Sequence, residues 1–189
     1  MTMELVDPVL VWISRLVVAL LFAAAGLSKL RRPAAFREAV AAYDLIPGRA
    51  VAPAAWTLAA AEVIGAALLL WPAGRVAGAV LLGAMLLVFS AAVAISIGRG
   101  RTDIDCGCWL FGARQTAGQG RLGPSILARN GGLAMLVFAA SLSAEGRLLG
   151  ALDWLTVASG TAAAVGLFAI AVQLTSNGRL LVGLRAAQP

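Results

Sequence analysis

Five long apolar runs divide this chain, and they constrain its fold more than any other feature. The runs cover residues 9–27, 51–71, 76–97, 126–142 and 154–174. A helix needs about 20 mainly apolar residues to cross a bilayer, and in lipid only helices and closed barrels satisfy every backbone polar group. We therefore predict an all-α, polytopic transmembrane bundle of about five helices, four of them packed together and one peripheral. A single integral membrane domain would span residues 1–189.

Composition supports lipid rather than water as the main solvent. The chain is 61% hydrophobic and 13% charged, whereas soluble domains are roughly 45–50% apolar and about 25% charged. The net charge of +6 would suggest nucleic acid in a soluble protein. Here the basic residues lie between apolar runs, as membrane topology requires, so we expect the lipid bilayer and no nucleic acid as a partner.

The chain contains no histidine and only two cysteines. The lack of histidine excludes Ser-His-Asp and Cys-His catalysis and imidazole metal ligands. Two cysteines cannot close a structural zinc site, which usually needs four nitrogen or sulfur ligands. We therefore predict no metal centre built by this chain alone.

Basic residues are distributed unevenly between the two sides that five helices would define. One side has Arg75 and Arg147. The other side has twelve: Lys29, Arg31, Arg32, Arg37, Arg49, Arg99, Arg101, Arg114, Arg121, Arg129, Arg179 and Arg185. Because basic flanks stay cytoplasmic, we predict the N-terminus outside, the C-terminus inside and the cysteines at the cytoplasmic face. Lys29 is expected to snorkel toward the interface.

Both cysteines lie in one short stretch, Cys106-Gly107-Cys108. A disulfide between residues i and i+2 closes a small, strained ring, and the glycine permits the backbone angles that such a ring needs. Strained disulfides are readily exchanged, and a bridge over so short a loop stabilises the fold little. Three interpretations stay open: a redox couple, half of a metal site completed by another chain, or two inert cysteines.

Charged residues flank the cysteine pair on both sides. Arg99, Arg101 and Arg114 would favour a thiolate, whereas Asp103 and Asp105 would oppose it. These opposing effects do not identify the attacking sulfur. We take Cys106 and Cys108 as candidate catalytic residues, with Asp105 as a supporting polar group.

Four further polar residues are candidates because they lie in or at the apolar runs, where charge is expensive. With ~1.5 Å of rise per residue, Arg15 and Glu62 lie about 10 and 14 Å from the same face, so we predict that they pair. The pair would either fix helix packing or form a polar relay or quinone-contacting site. Arg129 and Asn130 open the fourth helix after the cysteines, where they would face the redox pair or cap the helix.

Three motifs in order resemble the MauE family, within the wider DoxX-like membrane proteins. They are "GLSKLRRPAAFREAVAAYDLIP" at 26–47, "AAAEVIGAALLL" around Glu62, and "DCGCWLFG" at 105–112. The resemblance covers roughly residues 8–140. One departure is the spacing after the second cysteine, because Trp109 and Leu110 delay the aromatic residue and glycine that the family pattern has sooner.

The resemblance implies a function in the bacterial inner membrane. MauE-like proteins are thought to assist maturation of the periplasmic, disulfide-rich small subunit of methylamine dehydrogenase, together with a membrane-anchored, thioredoxin-like MauD protein. Cys106 and Cys108 would then act as a thiol–disulfide oxidoreductase couple. Two alternatives stay open: a non-enzymatic assembly or transport subunit, and a DoxX-like oxidoreductase with a quinone cofactor near Glu62 and Arg129.

The predicted topology conflicts with the implied substrate. The dehydrogenase subunit folds outside, whereas the basic residues predict that the cysteines lie inside. The bundle could expose the cysteine pair to both faces in turn, the fourth segment could be re-entrant, or the arginines near the cysteines could serve function rather than topology.

Overall fold

The computed structural model describes residues 7–102, 104, 123–144 and 148–186, with side chains as far as residue 174. Within these ranges the chain is all-α and has no strand, which confirms the predicted fold class. The helices are α1 (Pro8–Arg31), α2 (Pro33–Ala42), α3 (Gly48–Leu70), α4 (Arg75–Gly98), α5 (Pro124–Ser141) and α6 (Ala151–Ala186).

The apolar runs predict five of these helices. Among the described residues, four segments are long and apolar enough to cross a membrane: Pro8–Arg31, Gly48–Leu70, Pro72–Gly98 and Ala151–Leu174. Helix α5 has 18 residues and begins with more polar sequence. Two features differ from the prediction. A short helix, α2, lies in the connection at 28–50, and α6 continues to Ala186. The chain is thus a multi-pass membrane protein.

Prolines mark the starts of three helices. Pro8, Pro33 and Pro124 occupy the first turn of α1, α2 and α5, where a missing N–H costs nothing and the fixed φ suits a helix. At the first of these starts, the Asp7 carboxylate accepts a hydrogen bond from the Val9 amide at 2.8 Å. The chain therefore enters its first apolar run through a capped end.

Helices α1, α3, α4 and α5 form a ring in which each packs against its neighbours, and α6 packs against α1 from outside. Buried aliphatic and aromatic side chains from all four helices fill the centre, among them Val18, Phe22, Leu69, Leu82 and Val137. Helix α1 is the most enclosed, with 61% of its apolar window buried against 11% for α6. The predicted arrangement of four packed helices and one peripheral helix is confirmed.

Small residues bring some of these helices close together. A Cβ at Gly78 would lie 2.6 Å from the Leu69 amide nitrogen and 2.8 Å from the Gly65 carbonyl oxygen, and a Cβ at Gly160 would lie 2.8 Å from Ile13. These contacts show close packing of α3 with α4 and of α6 with α1. A Cβ at other described glycines would meet no atom within 4 Å, so these positions bring no helices together: Gly83, Gly131, Gly132 and Gly166.

Contacts at the two ends of the bundle show which loops share a side. At one end the rings of Trp12 and Trp154 lie 5.5 Å apart. At the other end Arg101 forms a 3.0 Å ion pair with Asp44, which joins the α2–α3 loop to the end of α4. Helix α5 connects the two ends, because Ile126 near its start packs with Tyr43 and Val93, and the Ala140 carbonyl near its end accepts a hydrogen bond from Arg15. Which end faces the cytoplasm stays a prediction.

Candidate functional site

The candidate catalytic residues Cys106, Cys108 and Asp105 lie outside the described residues. The helices before and after them are described. Helix α4 ends at Gly98, and α5 begins at Pro124. Near this end of the bundle Ile126 packs with Val93 and Tyr43. The connection that carries the cysteines therefore starts and ends on the same side as the α2–α3 loop.

A buried ion pair between Lys29 and Glu62 is the centre of the described polar groups. The ammonium group of Lys29 donates to Oε1 of Glu62, and the two side chains are only 2% and 3% exposed. Lys29 was predicted to snorkel toward the interface, and this prediction is wrong. Its side chain instead lies inside the bundle, where Glu62 of α3 compensates its charge.

Two aromatic rings enclose the Lys29 ammonium. Its Nζ lies 5.1 Å from the ring centroid of Phe36 and 5.0 Å from that of Phe89, distances at which the ring faces attract a cation. Phe36 comes from α2 and Phe89 from α4, so four helices contribute to one charged site. The arrangement explains why α2 packs against the ends of α1 and α3.

Arg15 does not pair with Glu62, which corrects the prediction from their depths. Its Nε donates to the Ala140 carbonyl at 3.0 Å and its second guanidinium nitrogen donates to the Leu142 carbonyl at 2.7 Å. The guanidinium also lies 5.0 Å from the centre of the Trp12 ring. Arg15 thus satisfies carbonyls that the end of α5 leaves without helical partners. Counting rise gives depth, but it does not give the direction in which a side chain points.

Arg129 and Asn130 lie near Glu62. That they face the redox pair stays a prediction, because the cysteines lie outside the described residues. Asn130 is 4% exposed and its Nδ2 donates to the Ser90 hydroxyl of α4 at 3.1 Å. A cavity of about 50 Å³ separates these groups. It is lined by Leu21, Phe22, Ala25, Lys29, Glu62, Leu86, Phe89, Arg129, Asn130, Leu133 and Phe168. The cavity therefore brings Glu62, Arg129 and Asn130 together with Lys29, whereas Arg15 binds the end of α5.

This cavity has the size for water rather than for a cofactor. A water needs about 10–15 Å³ by the same measure, whereas small-molecule sites are usually about 300–1,000 Å³. A quinone ring does not fit beside Glu62 and Arg129 in this conformation. The quinone stays a prediction, and no chemical step is assigned to it.

Lys29, Phe36 and Phe89 were not identified from the sequence. One signal was available, because Lys29 is the only lysine in a chain that otherwise uses arginine. An ammonium is a compact point charge on a flexible, unbranched stem, and in this structure it reaches Glu62 between the Phe36 and Phe89 rings. No comparable signal distinguishes the two phenylalanines from the other apolar residues of the core.

The metal-site alternative stays open for the cysteine pair, which lies outside the described ranges. Within them, no group of three or more acidic or cysteine side chains is placed to hold a metal ion. The described polar groups instead make contacts within the bundle. Lys29 pairs with Glu62 and lies against two aromatic rings, and Arg15 donates hydrogen bonds to carbonyls at the end of α5.

Comparisons with known proteins identify the chain's family. A family model described as "Methylamine utilisation protein MauE" matches residues 7–144. Relatives that carry the name "Methylamine utilization protein MauE" are 46% identical over 102 residues in Methylophilus methylotrophus and 42% identical over 111 residues in Paracoccus denitrificans. These alignments cover 54% and 59% of this chain and 54% and 60% of the relatives.

A third relative aligns over nearly its whole length. The protein of the same name from Paracoccus versutus is 37% identical over 190 residues, covering 100% of this chain and 96% of the relative. No solved structure matches the chain. The family match and these identities show that the chain belongs to the MauE family.

Proposed function

We propose that this protein is a membrane thiol–disulfide redox protein of methylamine utilisation, with Cys106 and Cys108 as its redox couple. The observation that carries the proposal is the family match over residues 7–144, which includes the only two cysteines of the chain. The name that the relatives share supports the metabolic assignment. The glycine-spaced pair supports an exchangeable disulfide rather than a structural one.

The exchange needs no external oxidant. A thiolate of one protein attacks a disulfide sulfur of the other, forming a mixed disulfide and releasing one thiolate. The second thiol of the attacking protein then breaks the mixed disulfide. One disulfide forms and one breaks, so two electrons and two protons pass from the dithiol of one protein to the disulfide of the other. Cys106 and Cys108 can accept or deliver a disulfide in this way.

The partners proposed for this exchange are the two that the MauE resemblance implies. One is a thioredoxin-like, membrane-anchored protein of the MauD kind, and the other is the small subunit of methylamine dehydrogenase. The bacterial inner membrane is the proposed location. The multi-pass helices support a membrane setting. Exchange with the periplasmic subunit requires that the cysteine pair reach the periplasmic face, against the orientation that the basic residues predict.

A scaffold function is the second candidate, and the described polar groups favour it. Lys29, Glu62 and Arg15 bind groups of the bundle itself, so their charges contribute to helix packing. A protein built in this way could hold the dehydrogenase subunit or its partner in place, with the cysteines incidental. The two functions differ in whether the sulfur atoms are needed.

Replacing both cysteines, as Cys106→Ser and Cys108→Ser together, separates the two functions. The measurement is the number of disulfides in the dehydrogenase small subunit from cells grown on methylamine, at matched membrane levels of wild type and variant. The redox proposal predicts loss of mature subunit. Ala94→Ser, an exposed substitution on α4, serves as the control and should have no effect. Normal maturation in the double variant would support the scaffold function instead.

A further inference from the structure

A second and larger cavity lies on the other side of the Phe36–Phe89 enclosure. Its volume is about 400 Å³, which falls within the usual range of about 300–1,000 Å³ for small-molecule sites. It lies between α2, the α2–α3 loop, α3 and α4. The lining residues are Phe36, Ala39, Val40, Tyr43, Leu45, Ile46, Ala54, Thr57, Leu58, Val88, Phe89 and Ala92. The proposed thiol chemistry does not use this cavity.

The lining of this cavity is suited to hydrocarbon. Ten of its twelve residues are aliphatic or phenylalanine, and the exceptions are Tyr43 and Thr57. The Thr57 hydroxyl already donates to the Pro53 carbonyl within α3, at 2.9 Å. An apolar chain would gain free energy here because its surface leaves water. The cost of burying polar groups is small, because the wall has few of them. A strongly polar ligand would find few partners along the walls.

Two phenylalanine rings form the inner wall of the cavity. Phe36 and Phe89 line it and also contact the Lys29 ammonium. Phe36 of α2 is 2% exposed and packs with Ala55 and Ala59 of α3. Because both rings pack against the buried Lys29 ammonium, they are held in place. The cavity is therefore formed before any ligand binds.

Positive charge lies beside this cavity. Tyr43 and Leu45 line it, and Asp44 between them accepts hydrogen bonds from Arg101 at 3.0 Å and, through its backbone carbonyl, from Arg99 at 3.4 Å. Each guanidinium has five N–H donors, of which Asp44 accepts one. Asp44 also has a φ of +52°, a left-handed conformation that aspartate tolerates better than most residues. The loop thus holds two arginines next to the apolar lining.

We propose that the cavity binds one hydrocarbon tail of an anionic phospholipid, and that Arg99 and Arg101 hold its phosphate. Apolar walls and adjacent cations match the two ends of such a molecule, and basic pockets between transmembrane helices are known to take anionic headgroups. A neutral lipid would add no charge to match Arg99, which binds only the backbone carbonyl of Asp44, whereas Arg101 already pairs with the Asp44 carboxylate. The binding does not depend on the redox function, and it holds whether or not the cysteines exchange disulfides.

Filling the cavity tests the position of the tail. The full chain is purified in mild detergent and incubated with phosphatidylglycerol that carries a photoreactive acyl chain. We expect crosslinks within residues 36–46, 54–58 and 88–92. Ala92→Leu, which fills the cavity, should reduce this labelling about tenfold. Ala94→Leu, on an exposed position of the same helix, should leave it unchanged. Equal labelling in the two variants would overturn the site.

Charge removal tests the headgroup. Phosphatidylglycerol retained after purification is compared with phosphatidylcholine by native mass spectrometry. The double variant Arg99→Gln and Arg101→Gln should lose about tenfold or more of the preference for phosphatidylglycerol. Arg31→Gln with Arg32→Gln removes the same charge from exposed positions at the end of α1 and should keep that preference. An equal loss in both double variants, or retention of phosphatidylcholine or a prenylquinone in place of phosphatidylglycerol, would overturn the assignment.

Discussion

The buried Lys29–Glu62 ion pair and the two aromatic rings beside it come from four different helices. Taking two charges out of water is costly, and their attraction offsets that cost only with good geometry and added contacts. The Phe36 and Phe89 rings supply such contacts. The pair therefore specifies how α1 meets α3 more than it adds net stability.

Removing one member of the pair should be worse than removing both. Lys29→Met or Glu62→Leu alone leaves an uncompensated buried charge, which costs about 3–5 kcal/mol. The double variant should recover most of that loss. Unfolding of the purified protein in mixed micelles measures the difference, with Arg31→Met at an exposed position as the control. A double variant as unstable as the worse single variant would mean that the two charges are not coupled.

Arg15 should stabilise the end of α5 through its two hydrogen bonds. Arg15→Met removes the donors from the Ala140 and Leu142 carbonyls, and hydrogen bonds to charged groups contribute about 1.5–3 kcal/mol. Arg15→Lys should recover part of the loss, because one ammonium can reach one carbonyl. The same micelle unfolding measures both variants. Full stability of the methionine variant would show that these bonds are not needed.

The sequence identified charged residues at membrane depth but not their partners. Glu62 and Arg15 stand out because each interrupts an apolar run. Their pairing was predicted wrongly, since spacing along a helix gives depth but not the facing of helices that are distant in sequence. Lys29 was assigned to the interface because it follows the first apolar run, and its inward position depends on Glu62 of α3.

Hydrophobic run length predicts the long helices and misses the short one. Runs of about 20 apolar residues leave little alternative to membrane-spanning helices. Helix α2 has ten residues and buries only Phe36 and Ala39, so its pattern is too brief to distinguish from a loop. It matters for the site because it carries one of the two rings on Lys29. The boundary of α6 was also missed, since the helix extends beyond its apolar run.

The α3–α4 crossing should tolerate no side chain at Gly78. A Cβ there would meet backbone atoms of Leu69 and Gly65, which cannot move aside, so Gly78→Ala should destabilise by about 1–3 kcal/mol. Gly83→Ala on the same helix adds its methyl to open space and is the matched control. The folded fraction after detergent extraction reports the difference. Equal behaviour of the two variants would mean that α3 and α4 do not approach so closely.

At the scale of the whole molecule, alternating helices put the cysteine connection and the α2–α3 loop on one side. The basic residues predict that this side is cytoplasmic. The cysteine-free double serine variant allows a direct test, with one new cysteine introduced per chain. Ser143→Cys, in the α5–α6 connection, should react with an impermeant maleimide added to intact spheroplasts, and Ala41→Cys should react only after permeabilisation. The reverse pattern would contradict the predicted orientation and place the cysteine pair beside a periplasmic substrate.

The bundle itself follows from composition and run length, whereas the candidate redox centre rests on one short motif. Lipid leaves a chain with these apolar runs few folds, so the four packed helices and the outer helix were predictable. The cysteine pair carries its chemistry in three residues, and its neighbours Arg99 and Arg101 already bind Asp44. How much Arg99 and Arg101 stabilise a thiolate therefore depends on how much of their charge Asp44 already compensates.

Trapping the thiol state of Cys106 and Cys108 in cells grown on methylamine tests the redox proposal most directly. A mass-tagged maleimide added after acid quenching counts free thiols, because the chain has no other cysteine. The redox couple predicts a fraction of the protein that carries no tag before reduction and two tags after it. The single variant Cys106→Ser cannot form the internal disulfide, so any untagged fraction that it retains must be a mixed disulfide with a partner. Two tags on every chain, before and after treatment with an oxidant, would contradict an exchangeable disulfide in this protein.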